Sequence, residues 1–222
     1  MRTSHVALLL LGLAGVSAAQ KEPVPVDQEP HHKVVLKNQF VEVTHVTLAP
    51  DERTLYHTHS NDRAAIELSH SSLAQQKMGE AEDVAGPTHP GQLSMSSARP
   101  GGYSHRVHNV GPGTFEVLDV EFLQRPKEPS QDVAAKVAAE NPSARAYHWS
   151  LAPGTKTPEH THRRPYLIVA ATPMQLKMTA PNGQTMSHAV KAGDVHWINT
   201  SVTHALANES NSGGEIIELE LK

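Results

Sequence analysis

The sequence predicts an all-β protein made of two copies of one unit, each a barrel or jelly roll of short strands, and three observations predict it. Apolar residues alternate with polar ones in short runs such as Met174-Leu176-Met178, or recur through a polar stretch as Val41, Val43, Val46 and Leu48 do. Turn signals punctuate the runs, among them Ala49-Pro50-Asp51 and Pro181-Asn182-Gly183. The chain also repeats itself, and many short strands joined by regular turns are the pattern of such architectures.

The repeat is ordered. Leu48-Ala49-Pro50 returns as Leu151-Ala152-Pro153, His57-Thr58-His59 as His160-Thr161-His162, and His45 as His148, all at one spacing. Four residues are then lost from the spacing. His105 and Asn109 match His204 and Asn208, and Glu116-Val117-Leu118-Asp119-Val120-Glu121 matches Glu215-Ile216-Ile217-Glu218-Leu219-Glu220. Val117 to Val120 and Ile216 to Leu219 read as the closing strands of the two copies, and Leu167 to Ala171 as a buried strand. These matches divide the chain into a leader 1–19, a Pro-rich mobile arm 20–33, a first barrel 34–122, a linker 123–146 and a second barrel 147–222. The linker changes character, with Pro126 and Pro129 followed by an Ala-rich stretch from Asp132 to Glu140 that stops at Asn141-Pro142. It predicts one short helix capped near Ser130.

The leader has Arg2, an apolar run from Val6 to Val16, and the small residues Ser17-Ala18-Ala19. It reads as a secretory signal peptide cut after Ala19, and the run is too short to span a bilayer. The expected location is periplasmic or secreted, with no membrane association once the leader is gone. The chain has no cysteine, so neither a lipid anchor on that residue nor a disulfide supports the fold. A net charge of −4 without clustered Lys and Arg argues against nucleic acid as a partner. Histidine is abundant, at 16 residues, while aromatic residues make up only 4% of the chain, an imbalance that points to metal or proton chemistry.

Six histidines stand where that chemistry would need them. Residues i and i+2 of a strand face one way, so His57 with His59, and His160 with His162, can both point inward. His105 and His204 are the third members, each four residues before an Asn that suits a turn-holding role. Three neutral imidazoles converging on one point form one face of a coordination sphere and leave positions open for water or substrate. The expected cofactor is therefore a divalent metal ion, with Fe, Zn, Mn and Ni all open. His45 and His148 read as strand residues carried through duplication. His31, His32, His70, His89 and His188 read as solvated loop residues, and His108 and His196 as strand or turn surface. Arg63, Arg163 and Arg164 beside the His-x-His pairs can clamp a substrate carboxylate or simply be solvated. Trp149 and Trp197 read as packing residues.

These residues resemble the two motifs of the cupin family, G-x5-H-x-H-x3-4-E-x6-G and G-x5-P-x-G-x2-H-x3-N. The stretch Pro100 to Asn109 matches the second motif, with Ser94 in place of its leading Gly, and Asp51 replaces the Gly that opens the first. The second copy keeps Gly154 and Gly193 but has Asn199 and Ser201 where Pro and Gly belong. The resemblance spans Val34 to Phe122 and Tyr147 to Lys222 and implies a bicupin: two cupin-type jelly-roll β-barrels in tandem. The family's glutamate ligand would fall at Arg63 or Ala64 and at Tyr166 or Leu167, and neither copy carries it. Glu67 falls on the strand face opposite Ala64, and Asp62 is a substitute in reach. Some cupin dioxygenases hold iron with three histidines alone, so the resemblance implies a metal-dependent dioxygenase acting on a small anionic or chelating molecule, or a non-catalytic binding or storage module. It argues against oxalate-type chemistry, which uses that glutamate. Edge strands of such barrels also offer a route to homo-oligomers.

Overall fold

The computed structural model describes residues 20, 22–127 and 133–222. The leader 1–19 and the expected helix cap Ser130 lie outside the described residues. In chain order the first half forms β1 Val24–Pro25, β2 His32–Lys37, β3 Val41–Leu48, β4 His57–His59, β5 Asp62–Glu67, β6 Ser71–Lys77, β7 Asp83–Thr88, β8 Leu93–Ser96, β9 Tyr103–Asn109 and β10 Phe115–Phe122. The second half forms β11 Ala139–Glu140, β12 Ala144–Leu151, β13 His160–His162, β14 Tyr166–Ala170, β15 Met174–Thr179, β16 Thr185–Val190, β17 Val195–Ile198, β18 Val202–Asn208 and β19 Gly214–Leu221. A single 3-10 turn, Val26–Gln28, is the one helical element among the described residues.

The strands make four sheets. In the first half the orders are β1-β4-β9-β6-β7 and β2-β3-β10-β5-β8. In the second they are β13-β18-β15-β16 and β11-β12-β19-β14-β17. Small features coincide as well. Asn109 Nδ2 donates to the carbonyls of Leu48 and Gly113, and Asn208 Nδ2 to those of Leu151 and Ser212. Gly154 turns at φ +71°, and Asp51, in the matching place, adopts φ +63°. Asp is among the few L residues that visit this left-handed region.

Strand alternation explains how the halves join. In β10, Leu118, Val120 and Phe122 face away from their own half, and in β19 Ile217, Leu219 and Leu221 do the same. Together with Val41, Val43, Ala64, Ile66, Ala144, Ala146, Leu167 and Val169 they form one buried apolar cluster drawn from both halves. Phe40 stacks on Trp197 at its border, the ring centroids 5.7 Å apart. His45 and His148 belong to this seam. Each pairs with a glutamate of its own half, Glu116 at 2.9 Å and Glu215 at 2.7 Å. Added Cβ atoms at the turn glycines Gly91 and Gly193 would meet His148 at 3.1 Å and His45 at 3.7 Å, so the turn of one half packs on the histidine of the other.

Two expectations are corrected. The described part of the Ala-rich stretch contains no helix, because Ala139–Glu140 pairs antiparallel with Arg145–Ala146 and Ala138 N donates to Ala146 O. Strand pairing that extends the central sheet outweighs the modest helix preference of alanine. Residues 22–32, expected as a mobile arm, are packed on the first half. Val24 and Pro25 pair in parallel with His57 and Thr58, and Val24 N donates to Tyr56 O.

The shared core predicts joint unfolding of the halves. Leu219→Ala, at a fully buried position, is expected to cost about 2–5 kcal/mol. Urea unfolding followed by tryptophan fluorescence, which reports the second half, and by far-UV circular dichroism should give one coincident transition. Two separated transitions would mean that the seam does not couple the halves.

Candidate metal centres

In the second half β13 and β18 pair so that His160 stands opposite His204, with His162 two residues along the same face. Alternation along β19 brings Glu218 to meet them from the facing sheet. One ligand atom from each of His160, His162, His204 and Glu218 lies within 4.8 Å of the others. Glu218 Oε2 is 2.9 Å from His160 Nε2, and Oε1 is 3.1 Å from His204 Nε2 and 3.3 Å from His162 Nε2. The outer nitrogens are anchored: His160 Nδ1 donates to Pro158 O, and His162 Nδ1 meets Glu220 at 2.5 Å. Tyr166 stacks on the His162 ring at 4.0 Å, and Trp149 lies over His160 while its Nε1 donates to Glu218. All four of these side chains are sealed from solvent.

Burial opposes charge on Glu218, yet contacts with His160, His162 and His204 hold it well below the ordinary carboxylate range. His162 feels the same charges. Burial pushes it down, but Glu218 and Glu220 raise it from 6.5 to about 9.

The first half repeats the pairing and differs in its lining. His57 stands opposite His105, and His59 Nε2 lies 3.1 Å from His105 Nε2. Outer partners hold their Nδ1 atoms: the Leu55 carbonyl for His57, Glu121 for His59 and Gln75 for His105. Burial and the neighbouring imidazoles lower His57 to about 3, and burial with His57 and Arg63 lowers His105 further still. Both rings are neutral at pH 7, the state that binds metal. The place of Glu218 is taken by Asp119, one methylene shorter, which turns to Arg63 at 3.5 Å. Beside the histidines lies a cavity of about 60 Å³ whose lining includes Arg63, Glu67, Gln75 and Asp119. A wider cavity of about 230 Å³ adjoins it, with His59, Arg63, Gln75 and Ser94 as shared walls and Arg99 and Tyr103 in its lining. Arg63 Nη1, Glu67 Oε2 and Asp119 Oδ1 are buried without a hydrogen-bond partner. Burial and the charge of Asp119 raise Glu67 to about 8, so it keeps its proton at neutral pH.

No protein-family model matches the chain, and no curated protein sequence matches it. Solved structures do. AerE from Microcystis aeruginosa aligns with 90% of this chain and 98% of its own, at 15% identity and a TM-score of 0.63. The cupin 2 conserved barrel domain protein from Leptotrichia buccalis covers 85% of this chain and 87% of its own, at 12% identity and 0.51. The salicylate 1,2-dioxygenase of Pseudaminobacter salicylatoxidans covers 82% and 71%, at 13% identity and 0.56. The fold is that of cupin-domain proteins. At these identities the likeness is one of fold alone.

Against the cupin motif, the missing glutamate has a structural answer. Of the two places where it would fall in each half, Ala64 and Leu167 face the shared core, while Arg63 and Tyr166 face inward. Glu67 is indeed opposite Ala64, and that puts it in the cavity. Asp62 is not a ligand substitute, since it is held by Ser143 Oγ, Ala98 N and Arg125 at the linker. Arg163 is exposed and Arg164 buried, and neither lines the first-half cavity. His70 and His89 are exposed loop residues as expected, His196 is exposed on β17, and His188 is exposed but sits in strand β16 rather than in a loop. His108 is buried between Glu82 and Asp51, and His32 is buried against His57. Sequence reasoning also missed Glu218 and Asp119 and set Glu67 aside. Acids at alternate positions of the apolar closing strands were the available signal for Glu218 and Asp119.

The second-half quartet fits a metal: three imidazole nitrogens and a carboxylate oxygen, all buried, converge within 4.8 Å of one another, a donor set of the kind that holds a divalent ion. A metal must displace the proton that His162 carries below about pH 9. Zinc added at pH 7.5 is expected to release about one proton per second-half site, with apparent affinity rising about tenfold per pH unit until about pH 9. Proton release in weakly buffered solution checks this, and binding without release would remove His162 from the ligands.

Proposed function

We propose that the protein is an exported bicupin with two unlike metal centres, in which the first half is a dioxygenase for a small anionic molecule and the second is structural. The observation that carries this reading is the contrast in lining. The second centre has four sealed donors, as structural metal sites do, whereas the first faces a polar cavity, as sites with open positions do. His57, His59 and His105 would hold the reactive ion, and His160, His162, His204 and Glu218 the structural one. Iron in the first centre would supply the open positions and electrons for oxygen chemistry.

The cavity describes its ligand. Arg63 Nη1 needs an acceptor and suits a carboxylate or phenolate oxygen. Asp119 Oδ1 needs a donor, such as a hydroxyl. Glu67, protonated at neutral pH, can donate to a second oxygen or take part in proton transfer. Together they suit a small acid that also carries a hydroxyl group. A fold neighbour named for salicylate, a molecule of that kind, agrees with this choice.

The test is metal analysis of protein purified without chelator, then oxygen uptake by the iron-loaded protein on small hydroxy acids, phenols and diketones. Uptake is expected with at least one hydroxy acid and should fall at least about tenfold in Arg63→Met, which loses a charge-assisted hydrogen bond. Ligand binding without uptake would make the protein a binding module, and absence of metal would end the reading.

Glu67 adds a prediction about stability. The unfolded chain ionises this group near 4.5, while the folded, ligand-free protein keeps the proton to about 8. Stability from this group is therefore fully present below pH 4.5 and is lost as pH rises toward 8. Glu67→Gln should remove that slope and be the more stable protein at pH 8, by roughly 1–3 kcal/mol. Equal stability of the two proteins at pH 8 in denaturant titrations would show that Glu67 ionises freely.

A further inference from the structure

We propose that the N-terminal segment supplies His32 as a fourth imidazole to the first-half centre, so that metal binding and docking of this segment form one linked equilibrium. The inference rests on the metal reading of that half, and it enlarges the ligand set with a residue that belongs to neither histidine motif.

The segment is fastened along its length. Gln20 Nε2 donates to Tyr56 O while Tyr56 N donates to Gln20 Oε1, and Val24–Pro25 then pairs with the strand that carries His57 and His59. Glu29, whose side chain is completely buried, organises the turn into β2. Its Oε1 accepts from Leu55 N at 3.0 Å, and its Oε2 accepts from His31 N at 2.8 Å and contacts His32 Nδ1 at 2.7 Å.

The Glu29 contact fixes the orientation of His32. With Nδ1 occupied by Glu29, the ring presents Nε2 on its other edge, and the ring centroid lies 4.6 Å from that of His57 and 6.3 Å from that of His59. One ring nitrogen from each of His32, His57 and His59 falls within 4.8 Å of the others. His105 adjoins this group through His59, their Nε2 atoms 3.1 Å apart, and His32, His57, His59 and His105 each have an outer Nδ1 partner, in Glu29, Leu55, Glu121 and Gln75 respectively. A carboxylate or carbonyl behind the imidazole is how proteins orient histidine ligands and raise their basicity. The side chain of His32 is 3% exposed, so crowding this imidazole beside His57 and His59 gains little from water. A shared cation would compensate it. The second half has no such residue: Trp149 stands beside His160, the counterpart of His57, and Glu218 is the fourth donor.

The experiment is titration of the metal-free, leader-processed chain with cobalt(II) chloride, followed by calorimetry and visible absorption. Wild type should take two equivalents. His32→Ala should weaken the first-half equivalent by more than about tenfold and change its absorption, and Glu29→Gln should weaken it by about 10–100-fold, as loss of a partner behind a ligand does. Retention of the second equivalent shows that each variant is folded. Should His32→Ala lose both, His32→Asn, which can still donate to Glu29, takes its place with the same expectation. Cobalt should also protect amides of residues 22–31 from hydrogen exchange in wild type and not in the His32 variant. Unchanged affinity and absorption in a His32 variant that keeps its second equivalent would overturn the assignment of His32 alone. A wild-type chain that takes no cobalt at His57, His59 and His105 would overturn the first-half metal reading and His32 with it.

Discussion

The closing strand of each half is buried on both faces, and much else in the molecule depends on that constraint. β10 and β19 lie centrally in their sheets, between β3 and β5 and between β12 and β14. One face of each contributes to the apolar cluster shared by the halves, and the other looks into its own half. An acid on the inward face has no water to solvate it, and a buried charge is tolerated only with partners. Asp119, Glu121, Glu218 and Glu220 are such acids, and their partners are His59, His162, His160, His204 and Arg63. The histidine clusters and the acids of the closing strands are therefore one electrostatic unit.

On that common frame a few inward positions decide how the halves differ. Arg63, Ala65, Glu67 and Asp119 line the first-half cavity, and the matching positions in the second half are Tyr166, Ile168, Ala170 and Glu218. The second set fills the space. Tyr166, Ile168 and Ala170 pack with Leu206 and Ile216, and Glu218 is long enough to reach three histidines where Asp119 reaches Arg63 instead. Filled space and a longer acid make a closed set of donors. Empty space and an arginine make a place for a ligand. The seam is less sensitive to these choices, because the residues that form it point the other way.

Much of this was legible in the residues. The turn and strand pattern and the pairing of His57 with His59 and of His160 with His162 are local facts, since a period of two and an i, i+2 pair place side chains without reference to the rest of the chain. The turn-holding role of Asn109 and Asn208 was legible for the same reason, as their partners are the adjoining turn and strand. The Ala-rich stretch misled because helix preference is a weak local term and Ala139–Glu140 found a strand to pair with.

What the sequence by itself determined was the β architecture and which imidazoles can share a face, because alternation is written along the chain. Only the tertiary structure decided which face of each strand meets the other half, and so that Ala64 and Leu167 belong to the seam while Arg63, Glu67 and Glu218 belong to the sites. It also decided that His32, in a segment whose composition suggests a free arm, stands 4.6 Å from His57. The physical reason is the same in each case. Which of two strand faces is inside, and what a polar segment docks against, depend on surfaces contributed by residues far away in sequence, and no local pattern carries that information.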